Sequence, residues 1–142
     1  MRAADSNPNR VVYDTNILIS AYLWKGLPRK ALELARTSRC QLVISNETLY
    51  ECIRVLASPK FGLAPEEIVP MVNDLTSFAI FVPLRSHITV IEADPSDNIF
   101  LGLAVDARAG YIVSGDKHLL RLRSYRKIQI LSVSRFVQQL VQ

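Results

Sequence analysis

The feature that most constrains this sequence is an alternation of short apolar runs with stretches of helical spacing. The runs are Arg10-Val11-Val12-Tyr13, Gln41-Leu42-Val43-Ile44, Ile80-Phe81-Val82, Tyr111-Ile112-Val113-Ser114 and Ile128-Gln129-Ile130-Leu131. They are too short for helices and rich in β-branched residues, so they read as buried strands. Repeated βα alternation favours a parallel sheet covered by helices on both faces. The expected fold is therefore α/β, three layers in α/β/α order, with a central parallel sheet of about five strands. In such folds the functional crevice lies at the carboxyl ends of the strands. Polar residues that directly follow a strand are thus the first place to look for chemistry.

The intervening segments carry helix signals. Ile17–Trp24 is an apolar helical stretch broken by Gly26, and Pro28 suits the first position of the next helix, running towards Ser38. Ser45 or Asn46 can cap a helix through Leu49, Cys52, Ile53, Val55 and Leu56 that stops before Pro59. Another begins near Pro65-Glu66-Glu67, where the carboxylates suit the helix dipole. Pro83–Ala93 reads as a loop. Asp94-Pro95-Ser96-Asp97 opens a helix ended by Gly110, and Ser132 or Ser134 caps a last helix through Phe136, Val137 and Leu140. Residues 1–9 read as a disordered or extended N-terminal tail and 10–142 as a single domain. At 142 residues the chain can bury about two-thirds of its unfolded surface. Its 49% hydrophobic residues exclude a disordered chain. Two cysteines, Cys40 and Cys52, cannot build a disulfide framework or a four-ligand zinc site, and read as small buried apolar residues. Tyr22 and Trp24 are expected in the core. No secretory leader is legible, and Phe78–Leu84 falls far short of the roughly 20 apolar residues a bilayer span needs. The expectation is a cytoplasmic protein with no membrane association.

Four carboxylates fall where this topology lets them converge. Asp14 directly follows the first strand, and Asp116 follows the fourth after Ser114-Gly115. Glu51 lies about a turn into the helix after the second strand, with Glu47 one turn earlier on the same face as a rival. Asp97 sits at the start of the helix before the fourth strand, where an N-cap role is an equal alternative. Asp106 is out of phase with Asp97 and should face away. Carboxylates crowded into one cleft repel and raise one another's pKa values unless a cation is present. Mg²⁺ or Mn²⁺ prefers oxygen ligands, and such a site suits phosphodiester hydrolysis.

Charge is segregated along the chain. Glu47–Asp116 holds ten acids and four bases, whereas Asp116 is followed by six bases and no acid. Setting the four site acids aside leaves nine acids against 17 bases. Lys117, Arg121 and Arg123, directly downstream of Asp116, are candidate contacts for the phosphates of a polyanion, since such contacts give affinity and salt dependence. Arg10 and Arg29 are weaker candidates.

Val11-Val12-Tyr13-Asp14-Thr15-Asn16-Ile17-Leu18 resembles the opening of PIN-domain ribonucleases. Asp94-Pro95-Ser96-Asp97-Asn98-Ile99-Phe100-Leu101-Gly102-Leu103-Ala104 and Tyr111-Ile112-Val113-Ser114-Gly115-Asp116-Lys117 resemble that family's later motifs in the same order. Ser45-Asn46-Glu47-Thr48-Leu49-Tyr50-Glu51, continuing to Ser58-Pro59-Lys60-Phe61, resembles a branch of toxin components of toxin–antitoxin pairs, relatives of VapC toxins. The resemblance covers Arg10 to Gln142. It implies a Mg²⁺- or Mn²⁺-dependent endoribonuclease, homodimeric and inhibited by a cognate antitoxin. It also implies that the family's acidic quartet falls on Asp14, Glu51, Asp97 and Asp116, Glu51 being the helical match rather than Glu47. Asn16 and Ser114 match polar positions that shape the site, and Asp94 is placed beside them as an assistant to Asp97. His118 stands where many close relatives carry an acid. Alternative readings are a PIN-type RNA-processing nuclease without an antitoxin, or a non-catalytic nucleic-acid-binding module of the same fold. A phosphotransferase using Asp14 as acceptor, like haloacid-dehalogenase-like phosphatases, is disfavoured because Asn16 stands where a second Asp is expected.

Overall fold

A computed structural model describes residues 7–92 and 95–141. Strands β1 (Asn7–Tyr13), β2 (Gln41–Ile44), β3 (Ile80–Phe81), β4 (Ala109–Val113), β5 (Ser124–Tyr125) and β6 (Ile128–Leu131) form one sheet in the order β3-β2-β1-β4-β6-β5. Five of them are parallel, as expected; β5 pairs antiparallel to β6 at the edge and is an addition to the sequence reading. The helices are α1 (Thr15–Leu23), α2 (Leu27–Arg36), α3 (Asn46–Leu56), α4 (Pro65–Phe78), α5 (Asn98–Ala107), α6 (Lys117–Leu122) and α7 (Val133–Val141).

The three layers follow from period-two alternation in strands that are buried on both sides. Val11, Tyr13, Leu42, Ile44, Val113 and Leu131 point into one core, with α1, α2, α3, α4 and α7. Val12, Val43, Ile112, Ile128 and Ile130 point into the other, with α5 and α6. Phe136 of α7 closes the first core edge-on against Tyr13 and Tyr111, at ring separations of 5.9 and 5.7 Å. Three helices of that layer are tied together at Asp74 of α4. It accepts from Tyr22 of α1 (2.7 Å) and from Arg36 of α2 (2.6 and 3.2 Å).

Several boundaries differ from the sequence reading. β1 begins at Asn7, three residues before the apolar run, while residues 1–6 lie outside the described residues. α5 ends before Gly110: Arg108 takes the left-handed conformation (φ 54°), and Gly110 is inside β4. The basic segment after Asp116 is helical (α6). Trp24 is 55% exposed, not core, and stacks at a tilt on Phe61. Cys40 and Cys52 are buried free thiols.

The loop after β3 packs without a backbone ladder. Leu84, Ile88 and Ile91 contribute to the second core, and side chains of α5 hold the backbone. Asp106 accepts from the amides of Arg85 (2.6 Å) and Ser86 (2.9 Å), and from the Ser86 hydroxyl. Asn98 accepts from Ile91 N (3.0 Å) and donates to Ile91 O (2.9 Å). Gly102 lets the loop approach, since a Cβ there would stand 3.2 Å from Ser86 O and 3.1 Å from Leu84 Cδ1. No helix among the described residues is long and apolar enough to cross a membrane.

Leu101 is fully buried between α5 and the sheet. Leu101→Ala should cost about 2–5 kcal/mol in urea unfolding, from lost transfer energy and the cavity left behind.

Candidate active site

β1 leads to β2 and β3 on one side, while β4, beside it, leads to β6 on the other. The crevice between their carboxyl ends is the point where strand order reverses, the usual ligand position in an open α/β sheet. Ladder bonds run to its lip: Asp14 N donates to Val113 O (3.1 Å), and Ser114 N to Leu131 O (3.0 Å). A cavity of about 380 Å³ opens there, lined by Asp14, Thr15, Asn16, Glu51, Val55, Ser96, Asp97, Ile99, Phe100 and Asp116.

All four sequence-selected acids therefore border one cleft, each delivered by a different element. Asp14 caps α1: its Oδ1 accepts from Ile17 N (3.0 Å), and its Oδ2 accepts from the Ser114 hydroxyl. Asp116 caps α6, its Oδ1 accepting from His118 N (2.8 Å) and Leu119 N (3.2 Å). Ser114, fully buried, links the two, since its Oγ also accepts from Asp116 N (2.9 Å). Asp97 ends a 3-10 turn (Pro95–Asp97) that runs into α5, and its side chain makes no capping bond, so capping does not account for it. Glu51 borders the cleft and Glu47 does not. The capping box of α3 is closed by Ser45 and Thr48.

The remaining assignments divide. Asn16 lies on the cleft wall itself and is exposed, rather than acting from behind the acids. Asp94 lies outside the described residues. Lys117, Arg121 and Arg123 are exposed, but none lines the acidic cavity; Arg123 borders a separate groove with Gln129, Ser132 and Arg135. Arg10 donates to Ala107 O (3.0 Å) and Arg29 to Ala21 O (3.1 Å), which ties both to helix carbonyls. Sequence reasoning missed Thr15, Ser96 and Phe100 on the cleft wall, and also Arg54. Arg54 forks onto Glu51 at 2.7 and 3.2 Å, an i,i+3 pair legible in principle from helix spacing.

Electrostatically the cavity is one-sided. Among the described residues its lining holds four carboxylates and no Lys, Arg or His. Burial pushes the Asp14 carboxyl above its ordinary 3.8, with the Asp116 charge adding to the rise; bonds from Ser114 and Ile17 pull the other way. This all-oxygen donor set fits a hard divalent cation. Among the described residues no three His, Cys, Asp or Glu side chains stand in a ready-made ligand arrangement.

The PIN-domain profile matches residues 10–118. The chain belongs to the PIN-domain family. PIN domains are in general nucleases, hydrolases that typically use divalent metals. Among solved structures, PAE2754 from Pyrobaculum aerophilum is similar at 13% identity with a TM-score of 0.68, covering 99% of this chain and 95% of that one. At that identity the likeness shows the fold alone. No curated protein sequence matches the chain.

Two predictions follow from this PIN domain's electrostatics. Asp14 binds its proton more tightly folded than unfolded, so metal-free stability falls as pH rises from about 4 through the folded pKa. Asp14→Asn should raise the metal-free melting temperature at neutral pH by a few degrees and flatten that pH dependence in thermal melts. Arg54→Ala frees Glu51 from an exposed ion pair and removes a nearby positive charge, so a divalent cation titrated calorimetrically should bind tighter by about a few-fold at most.

Proposed function

We propose that this PIN domain is a Mg²⁺- or Mn²⁺-dependent endoribonuclease. The observation that carries the reading is the convergence of Asp14, Glu51, Asp97 and Asp116 on one cavity whose lining, among the described residues, has no cationic side chain. Asp14, Asp97 and Asp116 would hold the ion, with Glu51 completing or orienting its shell. The ion supplies charge neutralisation at a scissile phosphate and lowers the pKa of water there. Ser114 fixes the Asp14 carboxylate with its hydroxyl and anchors the Asp116 backbone N–H, and Asn16 on the wall can hydrogen-bond the substrate. The capping role of Asp116 holds its Oδ1 and leaves Oδ2 to the cleft. Lys117, Arg121 and Arg123 take the RNA backbone outside the cleft, contributing affinity without sequence choice.

The toxin reading rests on the resemblance of Ser45–Glu51 and Ser58–Phe61 to VapC relatives. With it come a cognate antitoxin, a homodimer and a cytoplasmic setting. Expression should arrest growth, and a small protein encoded next to the gene should relieve the arrest; harmless expression of an active enzyme would remove the toxin role.

RNA cleavage should be abolished by EDTA, restored by Mn²⁺, and lost by at least about a hundredfold in Asp116→Asn, as for removal of a group that stabilises the transition state. Unchanged cleavage in that variant would overturn the site. RNA affinity without products would favour a binding module instead.

A further inference from the structure

A second cavity, of about 400 Å³, lies one helical turn from the acidic cleft. It is lined by Asn46, Glu47, Phe81, Val82, Pro83 and Leu84. It opens at the same carboxyl-terminal end of the strands: Val82 N donates to Ile44 O (2.9 Å), which carries the β2–β3 pairing to the rim. Glu47 and Glu51 are i,i+4 on α3, so their side chains neighbour each other, about 6 Å apart along the axis. That is about the span of one extended nucleotide.

We infer that this cavity is a guanine-binding subsite for the nucleotide next to the cleavage position, an inference that rests on the nuclease reading. The walls suit a nucleobase. Phe81 is 46% exposed and offers a face for stacking, and Pro83 and Leu84 supply apolar contact. The polar groups are uncommitted. Ser45 and Thr48 satisfy each other at the start of α3, with Thr48 N to Ser45 Oγ at 3.1 Å and Ser45 N to Thr48 Oγ1 at 2.9 Å. Asn46 and Glu47 have no hydrogen bond or ion pair among the described residues. The Glu47 carboxylate presents two acceptors side by side. On the Watson–Crick edge only guanine offers two adjacent N–H donor positions, at N1 and N2; adenine, cytosine and uracil offer one each. The Asn46 amide can donate to guanine O6. A carboxylate here would repel a phosphate, so charge complementarity favours a base over the RNA backbone.

The direct test titrates the four ribonucleoside 5′-monophosphates into the full chain, read by NMR shifts of the 46, 47 and 81–84 amides. GMP should move them at concentrations about tenfold below the other three. Phe81→Ala should weaken GMP binding about tenfold. Glu47→Gln should erase the preference for GMP with the melting temperature unchanged. Equal shifts with all four nucleotides, no shift at those amides, or a preference that survives Glu47→Gln overturns the inference. So do shifts that depend on protein concentration without nucleotide, which would seat a second copy there. Cleavage of a random-sequence RNA pool should enrich guanine at one fixed position beside the cut, and Glu47→Gln should lose that enrichment. GMP selectivity in a protein that cuts no RNA upholds the pocket and removes the nuclease reading. Cleavage with no base preference removes the pocket and keeps the nuclease.

Discussion

The parallel pairing of β1 with β4 is the constraint on which the rest of the structure depends. Both strands are buried on both faces, so their side chains commit alternately to two cores, and a slip of one residue would reverse every commitment. Because the chain leaves β1 towards one edge and β4 towards the other, their carboxyl ends stay uncovered by a crossover. Asp14 and Ser114 stand there on neighbouring strands, and the Ser114 hydroxyl joins Asp14 to the Asp116 backbone. The fold thus buries the Asp14 carboxylate beside that of Asp116, with no cationic side chain among the described residues of the wall. That arrangement is costly by itself, and a cation there would relieve it.

The two helical layers do different work around this axis. The layer of α1, α2, α3, α4 and α7 holds the larger core, and at Asp74 it is laced by Tyr22 and Arg36. Arg36 holds the Asp74 carboxyl below its ordinary range, so that tie keeps its charge well into acid. The layer of α5 and α6 presents Asp97 and Asp116. Its α5 also anchors the irregular loop after β3 through Asp106 and Asn98. The loop continues the wall that begins with Phe81 and Pro83, so a segment without regular structure forms part of the surface beside the cleft. At the rim, Arg54 pairs with Glu51, whereas buried Asp14 is held by the Ile17 amide and the Ser114 hydroxyl.

Much of this was legible because strand patterning and first-turn acids are local signals. The strand cores at Val11–Tyr13, Leu42–Ile44 and Ile128–Leu131 are apolar runs whose burial follows from composition, and Asp14 and Asp116 sit next to two such runs. What escaped depended on conformations without a residue signature. The β5–β6 turn is made by Arg126 and Lys127 with φ of 48° and 69°, where Asn-Gly would be the usual signal. Arg108, not Gly110, takes the left-handed position after α5. The loop after β3 was illegible because side chains from α5, distant in sequence, satisfy its backbone.

By itself the sequence determined the alternation of strands and helices, the three-layer architecture and the carboxylates beside the strand ends. These follow from periodic burial and from chain order alone. Tertiary structure decided between Glu47 and Glu51, freed Asp97 from a capping role, moved Asn16 onto the cleft wall and kept Lys117, Arg121 and Arg123 off it. Those outcomes turn on which face of a helix meets which cavity. Helix spacing puts Glu47 and Glu51 on one face, and only the packing of α3 against its neighbours separates the acid that meets the carboxylate cleft from the one that meets Phe81.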